Sequence, residues 1–110
     1  MRRGDVVLVS LPGGYGKPRP AVIVQADVIN EADPGSWMVC PMTTTPTGWR
    51  YRRLAVDPDP SNGLTQRCEI MVDKVTAATP NKIGGTIGRL DEDTMRRLDG
   101  LLMVALGLAS

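Results

Sequence analysis

"DEDTMRRLDGLLMVALGLA", residues 91–109, is the one stretch of this chain with sustained helical spacing, and it comes last. Asp91 stands as an N-cap, acids fill the first turn where they complement the helix dipole, and apolar residues recur at 95, 98, 101, 102, 105 and 108. The spacing predicts one amphipathic helix. Gly100 inside it costs about 1 kcal/mol against alanine without overturning the pattern.

Everything before the helix reads as short strands. "DVVLVSL" (5–11) and "PAVIVQA" (20–26) are valine-rich and bounded by glycine and proline, and "SWMVCPM" (36–42) is a third run with a proline at its edge. "WRYRRLAV" (49–56) alternates as a strand would, with Trp49, Tyr51 and Arg53 on one face and Arg50, Arg52 and Leu54 on the other. "RCEIMVDKV" (67–75) and "IGGTIGRL" (83–90) complete the set, and "DPDPSNG" (57–63) breaks the chain between them. The order is five or six short strands followed by one helix. At 110 residues and 42% hydrophobic, the chain suits a single domain, 1–110, around one core.

Charge excludes a global attraction to nucleic acid or membrane: 13 basic residues face 12 acidic ones, for a net charge of +1. Any anionic partner must therefore meet a local cluster. Cys40 and Cys68 lie far apart and outside any metal-ligand spacing, which predicts free core thiols and no metal site. The N-terminus lacks a signal-peptide pattern, and the apolar run 101–109 is about half of what a bilayer needs, so a soluble cytoplasmic protein is expected. Histidine is absent, which removes the commonest general acid and base along with Ser-His and Cys-His nucleophile pairs. Chemistry here must rest on carboxylates, arginines and hydroxyls.

Three loops carry such groups. Lys17 and Arg19 sit in "YGKPRPAVIV" (15–24), Thr43, Thr44 and Thr45 follow the third strand, and Trp49, Arg50, Tyr51 and Arg52 open the fourth. Guanidinium forks match phosphate geometry, hydroxyls donate to phosphate oxygens, and aromatic rings stack on unpaired bases, so together they offer what a single RNA strand requires. Each cluster also has a plainer reading: a solvated arginine before a strand, a turn whose hydroxyls bond the local backbone, and a half-exposed strand with its arginines in water. Pro18 and Pro20 restrict the backbones of Lys17 and Arg19 to extended conformations, which lowers the entropy lost in aiming the arginine.

The segments "RRGDVVLVSL", "GKPRPAVIV", "CPMTTT", "MVDKVTA", "IGRLDEDTM" and "LDGLLMVALGL", in this order and spacing, resemble the MazF/PemK toxin family over nearly the whole chain. The resemblance implies a compact SH3-like antiparallel β-barrel of five to seven strands with a C-terminal helix. It also implies a homodimer, an antitoxin partner, and a metal-independent, cofactor-free endoribonuclease that cuts single-stranded mRNA and leaves a 5′-hydroxyl. The family's catalytic arginine lies in its R-P-[AV]-[VL] motif, here Arg19, and its catalytic threonine in the P-x-T after the third strand, here Thr43. Arg19 can brace the non-bridging oxygens of a pentacovalent phosphorus, and Thr43 can bond the same phosphate.

The acid is open between two registers. Arg67 and Glu69 match in spacing an arginine–aspartate pair of some members, whereas counting back from "IGRLDEDTM" puts Asp73 at the family's acidic position and Met71 where its arginine would stand. The second register runs continuously through the C-terminal half and favours Asp73. The first loop, "PGGYGKPRP", lacks the Glu-Gln of many members, so sequence specificity does not carry over. Two other readings remain. Gyrase poisons of the CcdB type share the fold but act through a C-terminal Trp-Gly-Ile, where this chain has "LGLAS". A catalytically silent module that binds nucleic acid or antitoxin would not need both Arg19 and Thr43.

Overall fold

The computed structural model describes residues 1–12 and 17–109. The segment 13–16, which holds the centre of the first loop, lies outside the described residues. In chain order the elements are β1 (Asp5–Val9), β2 (Arg19–Ile23), α1 (Asp27–Asn30), β3 (Trp37–Thr43), β4 (Arg53–Val56), β5 (Cys68–Met71), β6 (Thr76–Ala78), β7 (Ile83–Arg89) and α2 (Glu92–Ala105). A 3-10 turn over Val72–Lys74 follows β5, and another over Pro80–Lys82 precedes β7.

All pairings are antiparallel, in the order β4-β5-β3-β2-β1-β7, with β6 pairing the first half of β3. β3 is the hinge of the sheet. Its first half lies between β6 and β2, and its end, Met42–Thr43, turns to pair with β5. The outer strands β4 and β7 do not pair with each other. Instead the loop 57–63 fills the gap, and the Arg89 amide donates to the Ser61 carbonyl at 2.8 Å. This closure explains two glycines. A Cβ on Gly63, whose φ is +72°, would stand 2.1 Å from the Ile87 carbonyl oxygen, and one on Gly88 would stand 2.3 Å from the Asn62 carbonyl carbon. Asn62 is buried and organises the loop, donating to the Asp57 carbonyl at 2.9 Å while its side-chain oxygen accepts from the Leu64 amide at 3.0 Å.

The apolar runs of β1 and β2 are continuous because both of their faces are covered. Val6, Val22, Cys40, Met42, Leu54 and Ile70 pack beneath Leu98 and Leu102 of α2. On the other face Val7, Val9, Ala21, Ile23 and Val39 close over Trp37 and Ala78. Burial pushes the Cys40 thiol up to about 12, and both cysteines are free and buried.

The last helix starts where its sequence indicates: Asp91 Oδ1 accepts from the Thr94 amide at 2.7 Å. It ends before the periodicity does. Gly107, at φ +74°, turns the chain so that the Leu108 amide reaches the Met103 carbonyl at 2.8 Å and its own amide reaches Val104 at 3.0 Å, a Schellman closure that leaves Leu106 and Leu108 exposed. Arg3 ties the helix to the sheet through Asp99 at 2.6 Å. No helix among the described residues is long and apolar enough to cross a membrane.

Three expectations change. The strand expected over 49–56 is formed only by Arg53–Val56; Trp49 to Arg52 turn instead of alternating, because the Trp49 ring folds back against the Arg52 and Arg53 guanidiniums at 4.2 and 4.8 Å. The strand expected over 67–75 ends at Met71, where the chain coils into the first 3-10 turn. The run 20–26 ends as a strand at Ile23 and continues into α1, a four-residue helix fixed by buried amides: Asn30 Nδ2 donates to the Gln25 carbonyl at 2.9 Å, and Gln25 Nε2 donates to Asn30 Oδ1 at 3.0 Å.

Candidate active site

The register of β2 against β3 builds the site. The β2–β3 register runs Ala21–Pro41, Val22–Cys40 and Ile23–Val39, and beyond it Arg19 begins β2 while Thr43 ends β3 and faces Glu69 of β5. Directly paired residues of adjacent strands share a face, which sets Thr43 beside Glu69, and the start of β2 brings Arg19 to the same groove as Thr43. Pro18 and Pro20 hold Arg19 extended at the start of β2, where it pairs with Val9 of β1.

Arg19 and Thr43 line one open groove of about 720 Å³, together with Lys17, Thr44, Thr45, Gln66 and Cys68. A second, more apolar cavity of about 270 Å³ adjoins it on the far side of Arg19, walled by Leu11, Pro12, Pro41 and Met71, with Lys74 and Thr76 at its polar end. Arg19 therefore stands between two hollows with its side chain exposed. Among the described residues it makes no ion pair. The Thr43 hydroxyl oxygen accepts from the Thr45 amide at 3.1 Å, an orientation that leaves its proton to be donated outward. Two cations and three hydroxyl-bearing side chains thus converge on a space open to solvent, an arrangement suited to a phosphodiester.

Glu69 lies beside this groove. It lines a smaller cavity of about 220 Å³ with Thr43, Thr44, Arg67 and Cys68. Burial alone would raise its carboxyl, but hydrogen bonds from Thr47 and Gly48, with Arg53 nearby, outweigh it and hold the carboxyl below its ordinary range. Burial also raises the Cys68 thiol, which makes it a poor nucleophile.

The other candidates are elsewhere. Asp73 accepts from Arg53 Nε at 3.0 Å and lines a cavity of about 440 Å³ formed with Tyr51, Arg52 and the end of α2. Arg67 lines the small cavity with Glu69 but makes its ion pair in solvent with Asp57 at 2.6 Å. Trp49 is already stacked by Arg52 and Arg53, while Arg50 and Tyr51 are exposed on the turn beyond the threonine loop. Sequence reasoning missed Gln66, which lines the groove from the approach to β5, and Arg53, whose side chain is 6% exposed. No local signal marks Gln66. The signal for Arg53 was its place at the head of an apolar triplet, Leu54–Val56.

Comparison with known proteins places the whole chain in a family. Residues 2–106 match the family described as PemK-like, MazF-like toxin of type II toxin-antitoxin system. The chain is 39% identical over 110 residues to a probable endoribonuclease MazF of Mycolicibacterium smegmatis, covering 99% of each protein. Among solved structures it resembles the Mycobacterium tuberculosis toxin MazF-mt6, with a TM-score of 0.81, 24% identity and coverage of 96% and 99% of the two chains. It also resembles a mycobacterial endoribonuclease solved with its cognate antitoxin, with a TM-score of 0.82, 24% identity and coverage of 100% and 98%.

Proposed function

This chain belongs to the PemK-like, MazF-like toxin family of type II toxin-antitoxin systems, and from that premise we propose that it is an endoribonuclease that cleaves single-stranded mRNA in the groove at Arg19 and Thr43. The observation that carries the reading is that those two residues, at the start of β2 and the end of β3, line one open groove. The name of the M. smegmatis relative supports the activity, and the hollows on either side of Arg19 leave room for a nucleoside on each side of a bound phosphate.

In the proposed reaction the RNA's own 2′-hydroxyl gives its proton to solvent water, its oxygen attacks the adjacent phosphorus and the P–O5′ bond breaks. The 5′-oxygen takes up a proton, leaving a 5′-hydroxyl on one fragment and a 2′,3′-cyclic phosphate on the other. Negative charge grows on the non-bridging oxygens as the fifth bond forms. Arg19 meets that charge with a preorganised fork, a contribution of roughly 3–4 kcal/mol, Thr43 donates its hydroxyl to the same phosphate, and Lys17 holds the strand. Thr44, Thr45 and Gln66 flank the path, and Arg50, Tyr51 and Arg52 continue it beyond the loop. Asp73, spent on Arg53, serves in this reading to hold that arginine and not to move a proton.

We further propose a single toxin domain, 1–110, acting in the cytoplasm as a homodimer and silenced by an antitoxin, as the antitoxin-bound structural relative suggests. Support for the dimer is an apolar face where Met38, Val75, Met103 and Leu106 are exposed around two adjoining cavities that share Val75, Leu102 and Leu106.

Primer-extension mapping on a long RNA tests the reading. Wild-type protein is expected to cut at discrete sites, with Arg19→Ala and Thr43→Ala leaving the RNA whole. Protein that spares RNA and instead blocks supercoiling by gyrase would establish the gyrase-poison reading, and a chain that does neither would be a silent binding module.

A further inference from the structure

We infer that Glu69 is the positioning residue of the groove: it anchors the Thr43–Gly48 loop to β5 and so fixes the Thr43 hydroxyl toward the phosphate beside Arg19. This rests on the ribonuclease reading above. One carboxylate oxygen, Oε1, accepts from the Thr47 amide at 3.1 Å and from the Thr47 hydroxyl at 2.9 Å, and the other, Oε2, accepts from the Gly48 amide at 3.3 Å. The Thr47 hydroxyl oxygen in turn accepts from the Trp49 amide at 3.2 Å. The loop is thus tied at its far end by one side chain of the strand that faces Thr43 at its near end.

The chemistry favours an anchor over a base. Both oxygens of Glu69 are already occupied, and the bonds favour its charged form, which weakens it as a proton acceptor near neutral pH. Its charged surroundings are Arg53 from β4 and Arg67 from the approach to its own strand, and neither bonds it, since their ion pairs go to Asp73 and Asp57. Glu69 contacts the loop and not the groove's cations. Losing it would let Thr43 to Thr45 drift, and a displacement of about 1 Å at a reacting group is worth on the order of 100-fold in rate.

The test compares wild type, Glu69→Gln, Glu69→Ala and Thr47→Ala on a short single-stranded RNA with one scissile bond, together with amide hydrogen exchange at Thr47 and Gly48. Glu69→Ala is expected to lower kcat about 100-fold with KM near wild type, because Lys17 and Arg19 still hold the strand. Glu69→Gln keeps a carbonyl oxygen for Thr47 and is expected to stay within about fivefold of wild type, with the pH–rate profile unchanged in shape. Thr47→Ala should fall between them, and the Thr47 and Gly48 amides should exchange faster in Glu69→Ala while circular dichroism shows the fold retained. Glu69→Gln as inactive as Glu69→Ala, with the acid limb of the profile lost, would make Glu69 the base and overturn the inference, as would wild-type kcat or unchanged exchange in Glu69→Ala. Wild-type protein that cuts no RNA would withdraw the ribonuclease reading and the positioning role together, and the exchange measurement would still report the anchor by itself.

Discussion

Arg19 begins β2 and Arg53 begins β4, the first with Lys17 and the second with Arg50 and Arg52 just before it in the chain, yet the fold treats the two guanidiniums in opposite ways. Arg53 is drawn inward, 6% exposed, bonded to Asp73 at 3.0 Å and laid over the Trp49 ring. Arg19 is left outside between two hollows and, among the described residues, without an ion pair. A buried cation is tolerated only when its charge is met within the protein, so Arg53 is occupied by the fold. An arginine held rigidly and left unmet is available to something from outside. The difference separates a cation that the fold uses from one that it leaves open to solvent, without reference to any relative.

The two alanine variants test that separation most severely. Arg19→Ala is expected to reduce RNA cleavage by about 1000-fold, near 4 kcal/mol of transition-state stabilisation, while urea denaturation shifts by no more than about 0.5 kcal/mol. Arg53→Ala is expected to cost about 3 kcal/mol of folding stability, because it strands the partly buried Asp73 carboxylate and uncovers Trp49. If both lost activity with the fold intact, the contrast would be wrong and the turn at 49–53 would belong to the active site.

Asp73→Asn sharpens the same contrast at smaller amplitude. The amide oxygen can still accept from Arg53 Nε, but the counter-charge is gone, so a loss of about 1–2 kcal/mol is expected. Protein that remains folded should then cleave RNA at close to the wild-type rate. A folded Asp73→Asn protein that has lost cleavage would return the acid to the position that the C-terminal register of the sequence favoured.

Much of this fold was legible because its signals are local. The valine runs of β1 and β2, the Asp91 cap and the spacing of Leu98 and Leu102 each declare themselves within a few residues. α1 and β6, four and three residues long, are too short to show any period, and a tertiary contact decides each: the Gln25–Asn30 amides for α1, and the β3 edge for β6. Closure of the sheet by the 57–63 loop likewise depends on β7, more than twenty residues away in sequence, and the only hint was the two glycines. At the site, Arg19 and Thr43 were legible as types and through the resemblance, but the groove that they share is formed only when β2 and β3 pair. The same holds for the acids. Asp73 and Glu69 look alike in sequence, and only the partners that the fold brings, Arg53 for one and the threonine loop for the other, tell them apart.

Acid pH gives the gentlest test, on the carboxylate nearest the groove. Burial would raise the Glu69 carboxyl, but hydrogen bonds from Thr47 and Gly48 outweigh it and hold the group below the ordinary value of 4.5, so its folded-state pKa lies below its unfolded one. The linked stability is therefore present above about pH 4.5 and is lost as pH falls through the folded value. Glu69→Gln lacks this titration. Asp27, lowered by hydrogen bonds from the Arg3 amide and Asn30, and Asp91, lowered by those from Thr94, titrate in the same acid window but are common to both proteins, so they cancel in the difference. Thermal midpoints measured from about pH 7 down to about pH 3 should show wild type slightly the more stable at neutrality and the two proteins converging in acid. Midpoints that stay parallel would mean that the charge of Glu69 contributes nothing to the loop it bonds, and the groove's rigidity would then rest on the Pro18–Arg19–Pro20 edge alone.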